Sequence, residues 1–166
     1  NNGEGIIFKK IIELDDKFLF KIKQQVQNNT NKPINIYPYA QLTRNNIPED
    51  IQNFYISHEG FIGVFDEELK EDDYDDIEEK KIIREANEGW LGITDKFWVM
   101  ALVPAKGENF KATFLYNDSF KANYILNNPT TVNPSSSSSN DVKLFVAAKE
   151  VETIDSYAAD ENINKF

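Results

Sequence analysis

The stretch Gly89–Pro104, GWLGITDKFWVMALVP, constrains the fold more than any other part of the chain, because it is apolar on both parities. Phe97, Val99, Ala101 and Val103 share one parity; Trp98, Met100 and Leu102 share the other. A strand with one wet face alternates apolar and polar residues, whereas a strand apolar on both sides needs cover on both. Asp95 and Lys96 interrupt the run, which predicts two short strands, Trp90–Thr94 and Phe97–Val103, joined by a tight turn. Pro104 has no N–H to donate and is expected to end the second. The run falls short of the ~20 apolar residues that a spanning helix needs, and it carries a charged pair in its middle. Gly89, Trp90, Phe97, Trp98 and Pro104 are therefore the expected core signature. The competing reading places Trp90, Phe97, Trp98 and Tyr124 in a sugar-stacking groove, but aromatics at strand spacing are first of all core material.

The rest of the chain reads as strands followed by one helix. Ile6–Leu14 and Phe18–Gln27 flank Asp15-Asp16, the signal of an antiparallel hairpin. Ile34–Thr43 is a strand whose Pro38 predicts an edge position or a bulge. Asn45–Asn53 reads as a loop, and Tyr55–Phe65 as strand material broken by Gly60 and Gly63. Asp66–Glu79 is strongly acidic, with poor periodicity, and is expected to be a solvated, mobile loop. Ile82–Ile83 suits a short strand. Phe110–Tyr116 and Phe120–Leu126 alternate on either side of Asn117-Asp118-Ser119, the clearest hairpin in the sequence. The segment from Pro129 to Asp141 contains PSSSSSND and predicts a flexible low-complexity loop, with Val142–Ala148 as the last strand. After Lys149 the spacing changes: Val151, Ile154 and Tyr157 fall on one helical face and form a candidate docking stripe. The expected organisation is a twisted antiparallel β-sandwich over 1–149 and a helical segment over 150–166.

Composition narrows the function classes. The 166 residues suffice for one domain, and 40% hydrophobic with 13% aromatic content is enough to form a packed core. The formal net charge of −10 argues against nucleic acid, which needs clustered Lys and Arg, and against tight docking on anionic lipid. There are no cysteines, hence no disulfides or thiolate metal sites. A start at Asn-Asn-Gly, without Met, signal peptide or spanning run, reads as a piece of a longer chain.

Taken in order, these motifs carry a resemblance. GWLGITDKFWVMALVP, together with GIIFKKIIELDDKFLFKIKQQV (Gly5–Val26), IYPYAQLTR (Ile36–Arg44), HEGFIGV (His58–Val64) and the closing Val142–Phe166, resembles the late part of the periplasmic domain of the bacterial membrane-protein insertase family YidC. The resemblance implies a β-supersandwich, with the helix after Lys149 leading toward a transmembrane segment. It implies a non-catalytic scaffold on the periplasmic side of the bacterial inner membrane, adjacent to the membrane but not spanning it. The implied partners are the rest of the insertase chain, the Sec translocon's accessory subunits and nascent membrane proteins. The family's hydrophilic groove between transmembrane helices lies outside this stretch.

Chemistry-bearing motifs are sparse. His58-Glu59 could supply acid–base groups in an aldose-epimerase-like or carbohydrate-binding supersandwich, but that reaction needs an identifiable second group across the sugar carbon. The run Asp72–Asp76 could attract Ca²⁺, yet Ile77 stands where a calcium loop needs glycine. There is no phosphate-binding glycine loop and no nucleophile elbow. No catalytic residue, metal or cofactor is expected.

Overall fold

The computed structural model describes residues 1–16, 18–47 and 58–149. The first half of the chain contains β1 (Ile6–Leu14), β2 (Leu19–Asn28), β3 (Ile34–Ile36), β4 (Tyr39–Arg44), β5 (Gly60–Phe65), β6 (Glu68–Asp72) and the short helix α1 (Tyr74–Glu79). There follow β7 (Ile82–Ala86), β8 (Gly89–Thr94), β9 (Trp98–Pro104), β10 (Phe110–Tyr116), β11 (Phe120–Leu126), β12 (Thr130–Val132) and β13 (Ser136–Ala148). They form a seven-stranded sheet in the order β1-β2-β13-β9-β8-β5-β6, a four-stranded sheet β4-β11-β10-β7, and a two-stranded pair β12-β3. The strand pairs are antiparallel, giving the expected β-sandwich. The helical segment over 150–166 lies outside the described residues, as do much of the loop over 45–53 and Tyr55. Among the described residues, no helix is long and apolar enough to cross a membrane.

The inner layer is aromatic. Phe61 of β5 sits 5.0 Å, ring to ring, from Phe114 of β10 and 6.1 Å from Phe120 of β11. Tyr74 of α1 meets Phe120 edge-on at 4.8 Å, and Phe110 meets Tyr124 at 5.9 Å. Leu91, Ile93 and Leu102 extend this layer from the larger sheet. Side chains alternate along a strand, so Ile62, Val64, Trp90, Val99, Ala101 and Val103 occupy the sheet's other face. That face forms a second buried cluster with Leu19, Phe145 and Ala147. β8 and β9 are thus buried on both faces over most of their length. Two glycines let their neighbours close in: a Cβ at Gly92 would collide with the Met100 carbonyl oxygen, and one at Gly89 (φ +134°) with that of Val64.

Three expectations need correction. Phe97 and Trp98 are not core: they are 63% and 58% exposed, while Trp90 is 0% exposed. β9 begins only at Trp98, so Phe97 belongs to the turn before it, and Trp98, on the parity of Met100 and Leu102, lies past the end of the smaller sheet that covers those two. Second, the serine run is not a loop. Ser136–Asp141 is the first half of the thirteen-residue β13, paired residue by residue with β2 from Asn28 back to Lys23. Backbone pairing does not need apolar side chains, and β2 supplies a long partner whose ladder would otherwise stop short. Third, the acidic run is ordered: β6 takes Glu68–Asp72, and α1 buries Tyr74 and Ile77 while turning Asp75 and Asp76 to water. Pro38 splits the strand expected over Ile34–Thr43 in two. It separates β3 from β4, which belong to different sheets, and its carbonyl accepts from Leu126 N at 3.0 Å.

The sheets have seven and four strands, so the β1–β2 side of the larger sheet overhangs the smaller one. Phe8, Ile12 and Leu14 are exposed there, and among the described residues β1 and β4 leave free edges. A cavity of about 240 Å³ opens beside the overhang, lined in part by Phe8, Gln24, Val26, Ile36, Tyr37 and Tyr39.

Two measurements check this architecture. Phe61→Ala should cost about 3–5 kcal/mol in urea unfolding, the range for an aromatic cavity, whereas Trp98→Ala should cost under about 1 kcal/mol. An equal loss at both sites would contradict the exposed position of Trp98. Amide hydrogen exchange should show protected protons within Ser136–Asp141; complete exchange in seconds across that run would mean that it is a loop after all.

Candidate functional site

The chain contains two arginines, Arg44 and Arg84, and each ties an edge strand of the smaller sheet to the larger one. Arg84 on β7 reaches Asp72 on β6, with Nη2 donating to Oδ1 at 2.8 Å and Nη1 lying 2.7 Å from Oδ2. Its guanidinium also lies over the rings of Phe65 and Phe114, at 5.5 and 5.6 Å. The planar fork suits both contacts in a way that a lysine ammonium would not. Arg44, at the end of β4, donates to the Asp95 carboxylate in the β8–β9 turn. The Tyr74 hydroxyl donates to the other Asp95 oxygen at 3.4 Å. Burial pushes the Tyr74 phenol above its ordinary value; Arg44 opposes that shift and Asp95 adds to it.

This second clasp organises one end of the sandwich. The turn is closed by Asp95 N donating to Trp98 O at 2.8 Å, with Thr94 Oγ1 donating to the same oxygen at 3.3 Å. The three residues that follow Asp95, namely Lys96, Phe97 and Trp98, are exposed. Lys149, the residue after β13, donates its N–H to Phe97 O at 2.9 Å and its Nζ to His58 O at 3.1 Å. Burial lowers the Lys149 pKa, while Glu59, Asp95 and Glu71 hold it up. The last described residue is therefore pinned to both β5's entry and the β8–β9 turn.

His58 is held as a strut. Its Nε2 lies 2.8 Å from the Phe61 carbonyl, which can only accept, so Nε2 carries the hydrogen. Nδ1 faces the exposed Asp73 carboxylate at 3.6 Å. The neighbouring Glu59 has its Oε2 buried without a hydrogen-bond partner. The 240 Å³ cavity is lined by other residues than His58 and Glu59. Among the described residues, no cluster of His, Asp and Glu is arranged to hold a metal ion; Asp72 instead serves Arg84.

Of the expected core signature, Trp90 and Pro104 are buried and Gly89 is half-buried beside them; Phe97 and Trp98 stand at the surface of this end. Val151, Ile154 and Tyr157 lie outside the described residues. Sequence reading gives Arg44 and Arg84 no role, and places Asp95 only in a turn and Lys149 only at the end of the last strand. The available signal is compositional: two arginines stand among many lysines, and arginine is the side chain suited to partly buried carboxylate pairing.

Comparison with known proteins follows the same outline. A family model described as the YidC periplasmic domain matches residues 1–166. The "Membrane protein insertase YidC" of Pelagibacter ubique is 49% identical over 166 residues, covering 100% of this chain and 30% of that protein. Proteins of the same name from Bradyrhizobium diazoefficiens and Roseobacter denitrificans are each 38% identical, covering 93% and 100% of this chain and 26% and 29% of their own length. The chain thus spans under a third of the relatives that it matches. Among solved structures, a provisionally assigned aldose 1-epimerase from Klebsiella pneumoniae is 8% identical with a TM-score of 0.43, covering 96% of this chain and 55% of that one. A likeness at that level carries no argument about chemistry.

The Asp95 clasp has a pH signature. A buried phenol with a raised pKa keeps its proton in the folded state where the unfolded chain, near pH 10, loses it. The stabilising contribution is complete below pH ~10 and falls as pH rises beyond it. Tyr74→Phe should therefore cost about 0.5–1.5 kcal/mol at pH 7 for the lost hydrogen bond, yet flatten the decline in melting temperature from pH 9 to 11. Parallel declines in the two proteins would show that Tyr74 does not report on alkaline unfolding.

Proposed function

The chain belongs to the YidC periplasmic domain family, and on that premise we propose that it is a non-catalytic scaffold within a membrane-protein insertase. The larger part of the relatives' length lies beyond it, and in this reading insertion belongs to that part. The observation that carries the reading is the use of the chain's candidate polar groups as fasteners. Arg44, Asp95 and Tyr74 lock the β8–β9 turn, His58 braces the entry to β5, and Lys149 ties the end of β13 to both. A rigid body fixed at its exit residue can set the direction in which the polypeptide continues.

The helix predicted from sequence begins next to Lys149, and its stripe Val151, Ile154 and Tyr157 would transmit that orientation by docking. Partners in this reading are the remainder of the insertase chain, nascent membrane proteins and accessory subunits of the Sec translocon, on the periplasmic side of the inner membrane.

The test is complementation of an insertase-depleted strain with the full-length protein, protein levels being followed in parallel. Ile154→Asp should reduce substrate insertion severalfold, because a carboxylate on the docking stripe opposes burial. Asp75→Lys combined with Asp76→Lys, on the wet face of α1, should leave insertion near normal. Normal insertion with the Ile154 variant and failure with the α1 variant would make the acidic surface, and not the junction, the working part.

A further inference from the structure

Three large aromatic side chains stand exposed at the end of the sandwich where β13 finishes. Phe97 and Trp98 leave the β8–β9 turn, and Phe18, 59% exposed, sits in the β1–β2 turn with φ +68°. Adjacent strand ends bring their backbones to one end of the larger sheet. Val146 N donates to Phe18 O at 3.4 Å, Ala148 pairs with Trp98, and Lys149 N donates to Phe97 O. Leu14, also exposed, lies at the same end through its pairing with Phe20. The backbone beneath is fixed on both sides: Asp15 Oδ1 accepts from Leu19 N at 2.9 Å, and Trp98 O accepts from Asp95 N. Ordering these rings for contact therefore has little further entropic cost.

We propose that this tip is a membrane-contacting surface, inserting Phe18, Phe97 and Trp98 at the headgroup level of a zwitterionic bilayer. The inference rests on the reading that the chain works beside a membrane. Aromatic rings favour the headgroup region, and a lysine next to them can bury its stem while its ammonium stays among the phosphates. Lys96 has that arrangement, its Nζ 5.2 Å from the centre of the Phe97 ring. The anion in the same turn is withdrawn, since Asp95 is held inward by Arg44 and Tyr74. The net charge of −10 works against a strongly anionic surface, which selects neutral lipid as the occupant.

The two tryptophans make the test direct, because Trp98 is exposed and Trp90 is buried. Vesicles of phosphatidylcholine, some with brominated acyl chains, are titrated into the protein. Trp98 emission should shift to the blue, lose its accessibility to acrylamide and become quenched by bromolipid. In Trp98→Phe, only the buried Trp90 remains, and its emission should stay constant, which also reports that the fold is intact. Combined Phe18→Ser and Phe97→Ser should weaken partitioning about tenfold or more, whereas Ile83→Ser, on edge strand β7, should not. Replacing part of the lipid with phosphatidylglycerol should weaken binding at low salt. The proposal is overturned if Trp98 stays accessible to acrylamide in excess vesicles, if Trp90 becomes quenched in Trp98→Phe, or if Ile83→Ser weakens binding as much as the double variant. None of these results depends on insertase activity, so a failure here is separable from a failure in complementation.

Discussion

The structure depends on the aromatic layer between two sheets of unequal size. Phe61, Phe114, Phe120 and Tyr74 contact one another across the gap, and burying each such ring contributes on the order of 1.5–3 kcal/mol. Edge-on packing of this kind has a preferred geometry as well as an area, so it limits how the sheets can slide. The remaining features follow from that layer. Where the smaller sheet covers the larger, residues such as Leu91 and Leu102 are sealed; where it stops, Phe8, Ile12 and Trp98 come to the surface.

The two arginine–aspartate clasps finish what the apolar layer leaves open. A hydrophobic interface specifies burial better than it specifies lateral position. Arg84–Asp72 and Arg44–Asp95 each join an outer strand of the four-stranded sheet to the seven-stranded one, at opposite edges. Their value lies in geometry, since the desolvation of both charges offsets much of the attraction. At the Arg44 end the same contact also holds the β8–β9 turn. Phe97 and Trp98 follow Asp95 at the surface, and Lys149, after β13, is tied to that turn.

Much of this was legible in the sequence, for identifiable reasons. The two-sided apolar run of Gly89–Pro104 required central strands, because both parities needed cover, and β8 and β9 are those strands. The hairpin Phe110–Leu126 was written in alternation and a turn triplet, both local signals. Family membership was carried by the order of short motifs along the chain. Pro38 signalled an edge position or a bulge because a missing N–H is a property of the residue itself.

What the sequence could not determine depended on partners far away in the chain. Ser136–Asp141 is a strand because β2, more than a hundred residues earlier, offers it a ladder; nothing in a serine run encodes that neighbour. Asp72 and Asp95 resemble any other members of an acidic chain until the fold brings Arg84 and Arg44 to them. Trp98 sits in the most apolar stretch of the protein yet is exposed, because the covering sheet ends before it. Periodicity states which face of a strand a residue takes, and only tertiary packing decides how far along that strand the cover extends.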